Sequence, residues 1–158
     1  MFVLARAVTY EALFIGFLLV FLPARILSSS GIVRPSPVGV WQGAGMLVGA
    51  AGAILALTCI FTFAFVGRGT PAPFDPPRRL VVRGPYRLLR NPMYAGAGLA
   101  LAGAALYYQS IALLGYAAVF LIVMQGFVVL YEEPTLRRTF GNEYEAYCRQ
   151  VGRWWPTR

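Results

Sequence analysis

The chain contains no histidine and no lysine. Without histidine it lacks the commonest general base and metal ligand, and with that most zinc chemistry is excluded. Acidic residues number only six and cysteines two. Cys59 lies inside an apolar run and Cys148 in a polar tail, so a disulfide between them is not expected, and packed or idle thiols are the simpler reading. Charged residues make up 13% of the chain and apolar residues 58%, against about 25% and 45–50% in soluble proteins. The 158 residues fit one domain by size, of membrane class, with no internal repeat or low-complexity tract.

The formal charge of +8 rests on arginine alone. A basic excess can serve nucleic acid, but no soluble domain displays these arginines, and anionic lipid headgroups suit apolar runs of this length better. The expected partners are therefore membrane lipids, with no nucleic acid and no metal.

Four apolar stretches approach the roughly 20 residues of a spanning helix. They run from about Phe2 to Ile26, ending near Pro23, then from Val38 to Val66, Met93 to Tyr108, and Ile111 to Tyr131. The first is long for the apolar core of a signal peptide, and Glu11 inside it would be out of place there. Arginine placement orients the set. With the N-terminus inside, twelve of the fourteen arginines are cytoplasmic, and only Arg25 and Arg34 lie outside. This predicts an all-α, polytopic membrane bundle of about four spans with both termini cytoplasmic. Residues 1–66 supply two spans. Residues 67–158 supply a loop, two further spans and a cytoplasmic amphipathic tail helix. Gly45, Gly49, Gly52 and Ala56 recur at helical spacing in the second span, as do Gly96, Ala100 and Gly103 in the third, which predicts close helix packing.

Charge at membrane depth is costly, so charged clusters where spans end are candidate functional sites. One is Gly84-Pro85-Tyr86-Arg87-Leu88-Leu89-Arg90-Asn91-Pro92-Met93-Tyr94-Ala95-Gly96. It follows a stiff loop with prolines at 71, 73, 76 and 77 and the Gly67-Arg68-Gly69 turn. Arg78, Arg79 and Arg83 are read as headgroup contacts. Arg87 and Arg90, three residues apart, are expected to share a helical face at the start of the third span. Free N–H groups at that helix start would add to them a site for carboxylate or phosphate.

The other cluster is Tyr131-Glu132-Glu133-Pro134. Pro134 predicts a break there and a new tail helix, which one of the two carboxylates would cap. The other would answer a cation, with Glu132 slightly favoured because it is nearer the membrane. In the tail, Leu136, Phe140, Tyr144, Tyr147 and Val151 form an amphipathic stripe, bent at Gly141 and expected to lid the site from the cytoplasm. Trp154 and Trp155 suit a membrane interface.

The Arg90-Asn91-Pro92-Met93-Tyr94-x-Gly96 and Tyr131-Glu132-Glu133-Pro134 strings resemble the two signatures of phospholipid methyltransferases. The longer frame, from the Gly-x-Gly-Thr-Pro-x-Pro loop to Phe140-Gly141-x-x-Tyr144-x-x-Tyr147, is similar to bacterial relatives of isoprenylcysteine carboxyl methyltransferase. The resemblance covers about Gly67 to Pro156. Position 91 is Asn, as in the phospholipid enzymes, where the isoprenylcysteine enzymes usually have His. The resemblance implies S-adenosylmethionine bound in a cytoplasm-facing cavity of the last two spans and tail, with a lipophilic or lipidated substrate entering from the bilayer. Carried over by position, it implies a pocket of Arg87, Arg90, Asn91, Tyr94, Gly96, Glu132 and Glu133, with Arg90, Glu132 and Glu133 closest to the chemistry.

The residue chemistry agrees. Arginines answer the cofactor's carboxylate, a glutamate its ammonium, and Tyr86, Tyr94 or Tyr131 its sulfonium as cation–π partners. A carboxylate or thiolate acceptor needs no protein base, whereas an amine must lose a proton that a glutamate could take. The competing reading is a non-enzymatic membrane scaffold or small transporter subunit. It accounts for the spans and arginines but not for an arginine pair and an acidic pair at one interface, and a transporter would place ionisable groups at mid-span.

Overall fold

The structure, a computed structural model, describes residues 15–32, 38–63, 65 and 79–156. Arg6, Glu11, Arg34, Arg78, Arg158 and the Gly67-Arg68-Gly69 and proline-rich loop lie outside the described residues. Among the described residues the main helices are, in chain order, α1 (Gly16–Ser29), α2 (Val40–Thr62), α3 (Pro92–Tyr108), α4 (Ile111–Phe127), α5 (Glu133–Phe140) and α6 (Asn142–Gln150). Among the described residues no strand forms, only a single parallel bridge between Leu89 and Gly152. The all-α expectation holds. Two runs, Val40–Thr62 and Ile111–Phe140, are long and apolar enough to cross a membrane, while α1 from Gly16 is shorter and α3 has 17 residues. The two long runs turn large apolar side chains outward, with Leu47 75% and Ile122 70% exposed. An apolar face of that extent belongs against hydrocarbon.

Two prolines that should end helices do not, and the same device carries the helix past each. Residues Gly16–Phe21 are wound as a π turn, so the Leu22 N–H reaches the Phe17 carbonyl, five residues back. In that register the Leu18 carbonyl would accept from Pro23, which has no N–H. It accepts the Tyr116 hydroxyl of α4 instead, at 2.8 Å. The first apolar helix therefore runs on past Pro23 to Ser29. At the other end of the chain Val128–Glu132 form a second π turn, and the Glu133 N–H reaches the Val128 carbonyl. The helix passes through Pro134, contrary to the break expected there, because the wider turn absorbs the missing donor. The break comes at Gly141, whose backbone (φ 49°, ψ −122°) suits glycine and little else.

α2 and α3 pack antiparallel through their small residues. A Cβ on Gly45 would lie 2.5 Å from the Tyr107 nitrogen, and one on Gly96 would lie 2.8 Å from the Gly52 oxygen and the Ala56 nitrogen. Gly52 and Gly103 meet the backbones of Ala100 and Gly49 at still closer range. α3 closes with Gln109 in the left-handed region, and Ser110 caps α4 by accepting the Leu113 N–H at 3.2 Å. That tight link makes α3 and α4 neighbours, and Tyr94, Ala97 and Leu101 of α3 pack against Ala117, Phe120 and Met124 of α4. Thr62, Asn91 and Glu132 consequently lie at one end of the bundle.

The connection into α3 is folded onto that end. Val81 and Tyr86 pack on Cys59 of α2, and Gly84 takes a positive φ where the chain passes Thr62. The expected tail stripe is a packed one: Tyr144, Tyr147 and Val151 are buried together with Leu80, Leu136 and Phe140 at their edge. Trp154 joins the α3–α4 core, while Trp155 stays exposed.

The glycine seam gives a direct test. Gly103→Leu should destabilise the detergent-solubilised protein by at least about 2 kcal/mol through overpacking, seen as a fall in melting temperature. Gly115→Ala, where nothing lies within 4 Å of an added Cβ, should leave the melting temperature unchanged or raised. Equal behaviour of the two variants would show that α2 and α3 do not meet through this seam.

Candidate functional site

Glu132 and Glu133 are successive residues of one continuous helical run, so they point about 100° apart and meet different partners. Glu133 is 7% exposed. It accepts both Nε and Nη2 of Arg153, at 2.7 and 3.0 Å, and pairs with Arg90 Nη1 at 3.2 Å. The two-pronged Arg153 contact is the strong, directional form of an ion pair. Its hydrogen bonds to Glu133 raise the Arg153 pKa above the ordinary guanidinium value. Glu132 accepts the Tyr94 hydroxyl at 3.3 Å. Neither carboxylate caps a helix start, since the helix passes through both without freeing N–H groups.

Arg90 is fixed on several sides. Its backbone N–H donates to the Gly152 carbonyl at 2.9 Å. Its Nη1 also donates to Cys148 Sγ at 2.8 Å. Its Nε is buried and has no hydrogen-bond partner among the described residues. Asn91 is buried and sends its side-chain N–H to the Arg153 carbonyl at 3.4 Å. Residues 151–154 thus form a strap across the bundle end, tied to Leu89 and Arg90 by backbone, to Asn91 and Glu133 through Arg153, and to Gln125 through the Trp154 indole, 2.5 Å away. Tyr147 donates to the Tyr86 carbonyl at 2.6 Å. Burial raises the pKa of both phenols above the ordinary range, so Tyr147 keeps the proton it donates.

Of the expected site residues, Arg90, Asn91, Tyr94, Glu132 and Glu133 come together here. Arg87 does not share a face with Arg90. Gly84–Arg87 is a separate 3₁₀ turn, the chain between it and α3 is not helical, and Arg87 is exposed while Arg90 is largely covered. Tyr86 is buried, with its ring beside Phe63. Tyr131 is exposed and stacks on Phe127 at 5.3 Å. Gly96 lies on the α2 seam. Among the described residues no cluster of His, Cys, Asp and Glu could hold a metal ion. Sequence reasoning passed over Arg153, Cys148 and Gln125. Arg153 follows α6 in extended chain, where no periodicity assigns it a face, and it read only as one more cytoplasmic arginine.

A family model, described as phospholipid methyltransferase, matches residues 40–143. The chain belongs to that family. Its members carry out membrane methyl transfer to lipid-like substrates, and this chain has the apolar helices such a role needs. No curated protein and no solved structure matches the chain significantly. The family match takes in α2 as well as both motifs, and it stops inside α6, before the strap.

The two carboxylates should differ sharply in stability. Glu133→Gln strands two arginines, one of them largely covered, and should cost about 3 kcal/mol, the lower end for breaking a buried pair. Glu132→Gln loses one long hydrogen bond and should cost about 1 kcal/mol or less. Thermal unfolding in detergent reads both, and equal losses would remove Glu133 as the tie between strap and bundle.

Proposed function

We propose that this chain uses S-adenosylmethionine to methylate a lipid-borne amine. The reaction site is the end of the bundle where Arg90, Asn91, Tyr94 and Glu132 converge, facing the cytoplasm. That convergence is the observation that carries the reading. When bound, the cofactor supplies an electrophilic methyl group on a sulfonium. The residues present fit such a zwitterion. Arg90 has a buried Nε–H with no partner among the described residues, an orphaned donor of the kind a carboxylate would satisfy. Glu132 accepts only the Tyr94 hydroxyl among the described residues, which leaves lone pairs for a cation. Tyr94, held by Glu132 and packed in the α3–α4 core, offers a ring beside that cation.

Positioning and exclusion of water supply much of the rate for transfer from so reactive a donor. Asn91, as in the phospholipid branch, and the family match both favour an amine over a prenylcysteine carboxylate. Glu132 is then the acid that answers the cations here, either the cofactor's ammonium or the proton of the acceptor amine. Four spans with both termini cytoplasmic accord with the arginines. Arg79, Arg83, Arg90, Arg137, Arg138, Arg149 and Arg153 are carried by the segments at the site's end, whereas Arg25 is in α1.

S-adenosylhomocysteine should stabilise the solubilised protein by about 2.7 kcal/mol at a hundredfold excess over its Kd. Arg90→Gln should weaken that binding by about 2–5 kcal/mol, while Arg79→Gln should leave it unchanged. A loss of affinity in Glu132→Gln assigns it to the ammonium, and a loss confined to turnover of labelled methyl into membrane lipid assigns it to the proton. No thermal shift in well-folded wild-type protein would sink the cofactor reading. For topology, cysteines placed at Ser29 and at Glu143 should label from opposite sides of sealed vesicles, and same-side labelling would refute the four-span arrangement.

A further inference from the structure

Gln125 is an amide set in an apolar wall. It lies in the last turn of α4, and its neighbours one turn away on the helix surface, Leu121, Ile122 and Val129, are all exposed on the face that meets hydrocarbon. Its own side chain is half-buried. An indole nitrogen is a donor only, so the amide oxygen is the atom that accepts the Trp154 N–H, at 2.5 Å. Trp154 packs in turn on the α3–α4 core that holds Tyr94. This pins the amide and leaves its Nε2 on the side away from the indole. That Nε2 makes no hydrogen bond among the described residues and, unlike the Nε of Arg90, keeps accessible surface. A donor among apolar groups is costly until it is met. The uncharged acceptors a bilayer has to offer it are the acyl-ester carbonyls of lipids.

Seven residues separate Gln125 from Glu132, about 10 Å of helix running from the site into the membrane. In an ethanolamine phospholipid the amine and the acyl esters are held apart by a phosphate and a glycerol, a span of that order, with the amine outermost. A lipid whose amine meets Glu132 therefore brings an ester carbonyl to the level of Gln125 and its acyl chains to Leu121 and Ile122. We propose that Gln125, its amide oriented by Trp154, is a specificity-determining residue that donates from Nε2 to an acyl-ester carbonyl of the acceptor lipid. The phosphate of the same lipid lies nearer the amine, and so nearer the arginines at the end of the bundle, which leaves the uncharged ester to the uncharged amide. The inference rests on the lipid-amine reading above and concerns how that site tells a diacyl lipid from other amines.

The test sets the protein group against the lipid group, with the full chain in mixed detergent micelles. The acceptors are diacyl phosphatidylethanolamine and its dialkyl ether analogue, which keeps the amine and the phosphate but has no ester carbonyl. Wild type should show a KM for the ether lipid about tenfold above that for the ester lipid, the size of one hydrogen bond. Gln125→Met keeps the length of the side chain without its donors. It should raise the KM for the ester lipid about tenfold and leave that for the ether lipid unchanged, with the Kd for S-adenosylhomocysteine at its wild-type value. Trp154→Phe keeps a ring in the core but unpins the amide, so it should show an intermediate preference for the ester. It also serves as the readout if Gln125→Met does not fold. An equal rise for both lipids would overturn the proposal, since a structural role or a contact to phosphate acts on both alike. So would a wild type that does not distinguish them. Binding of S-adenosylhomocysteine by a wild type that methylates neither lipid would instead refute the lipid-amine reading itself.

Discussion

A single buried carboxylate, Glu133, is where the separate parts of this molecule are tied together. It sits on the run that leaves the membrane helix α4, Arg90 sits at the entrance to α3, and Arg153 sits on the strap after α6. These three elements are 43 and 20 residues from one another along the chain. A buried ion pair contributes little net stability against an apolar alternative, since desolvation offsets much of the attraction. Its value lies in geometry: a fork-shaped donor and a carboxylate fit in few ways. Stability of the body must come from elsewhere, and the α2–α3 seam and the α3–α4 core provide it.

Those two interfaces work differently. The α3–α4 contact is ordinary side-chain packing of Tyr94, Leu101, Phe120 and Met124. At the α2–α3 contact side chains are largely dispensed with and backbone meets backbone, which suits association inside hydrocarbon, where apolar side chains gain nothing by leaving lipid. The π turns before Pro23 and Pro134 belong to the same economy. A helix in lipid must satisfy its carbonyls internally, and the carbonyl set free near Pro23 is met by Tyr116.

Much of this was legible in the sequence. The limits of α3 and α4 were set by Pro92 and by the change of polarity at Gln109-Ser110, and both were read to within a few residues. The small-residue seam announced itself by spacing, and the tail stripe by its period. Arg90, Asn91, Tyr94 and the glutamate pair were visible because charge and aromatics cluster where spans end. What was hidden depended on tertiary context. Pro134 looked like a helix break because local rules do not foresee a widened turn upstream. Arg87 and Arg90 looked like one face because the non-helical residues between the 3₁₀ turn and α3 carry no sequence mark. The different fates of Glu132 and Glu133 could not be told apart from adjacent letters; the approach of the strap decides them.

The strap also makes the end of the bundle depend on the tail. Arg153 lies twenty residues beyond Glu133 and past the bend at Gly141, so their ion pair closes only once α5 and α6 have folded back over the bundle. If the tail came away, Glu133 would keep Arg90 alone, and Tyr86 and Asn91 would lose the partners the tail brings them. The tail helices are therefore expected to melt together with the entrance to α3 and not as a separate appendage.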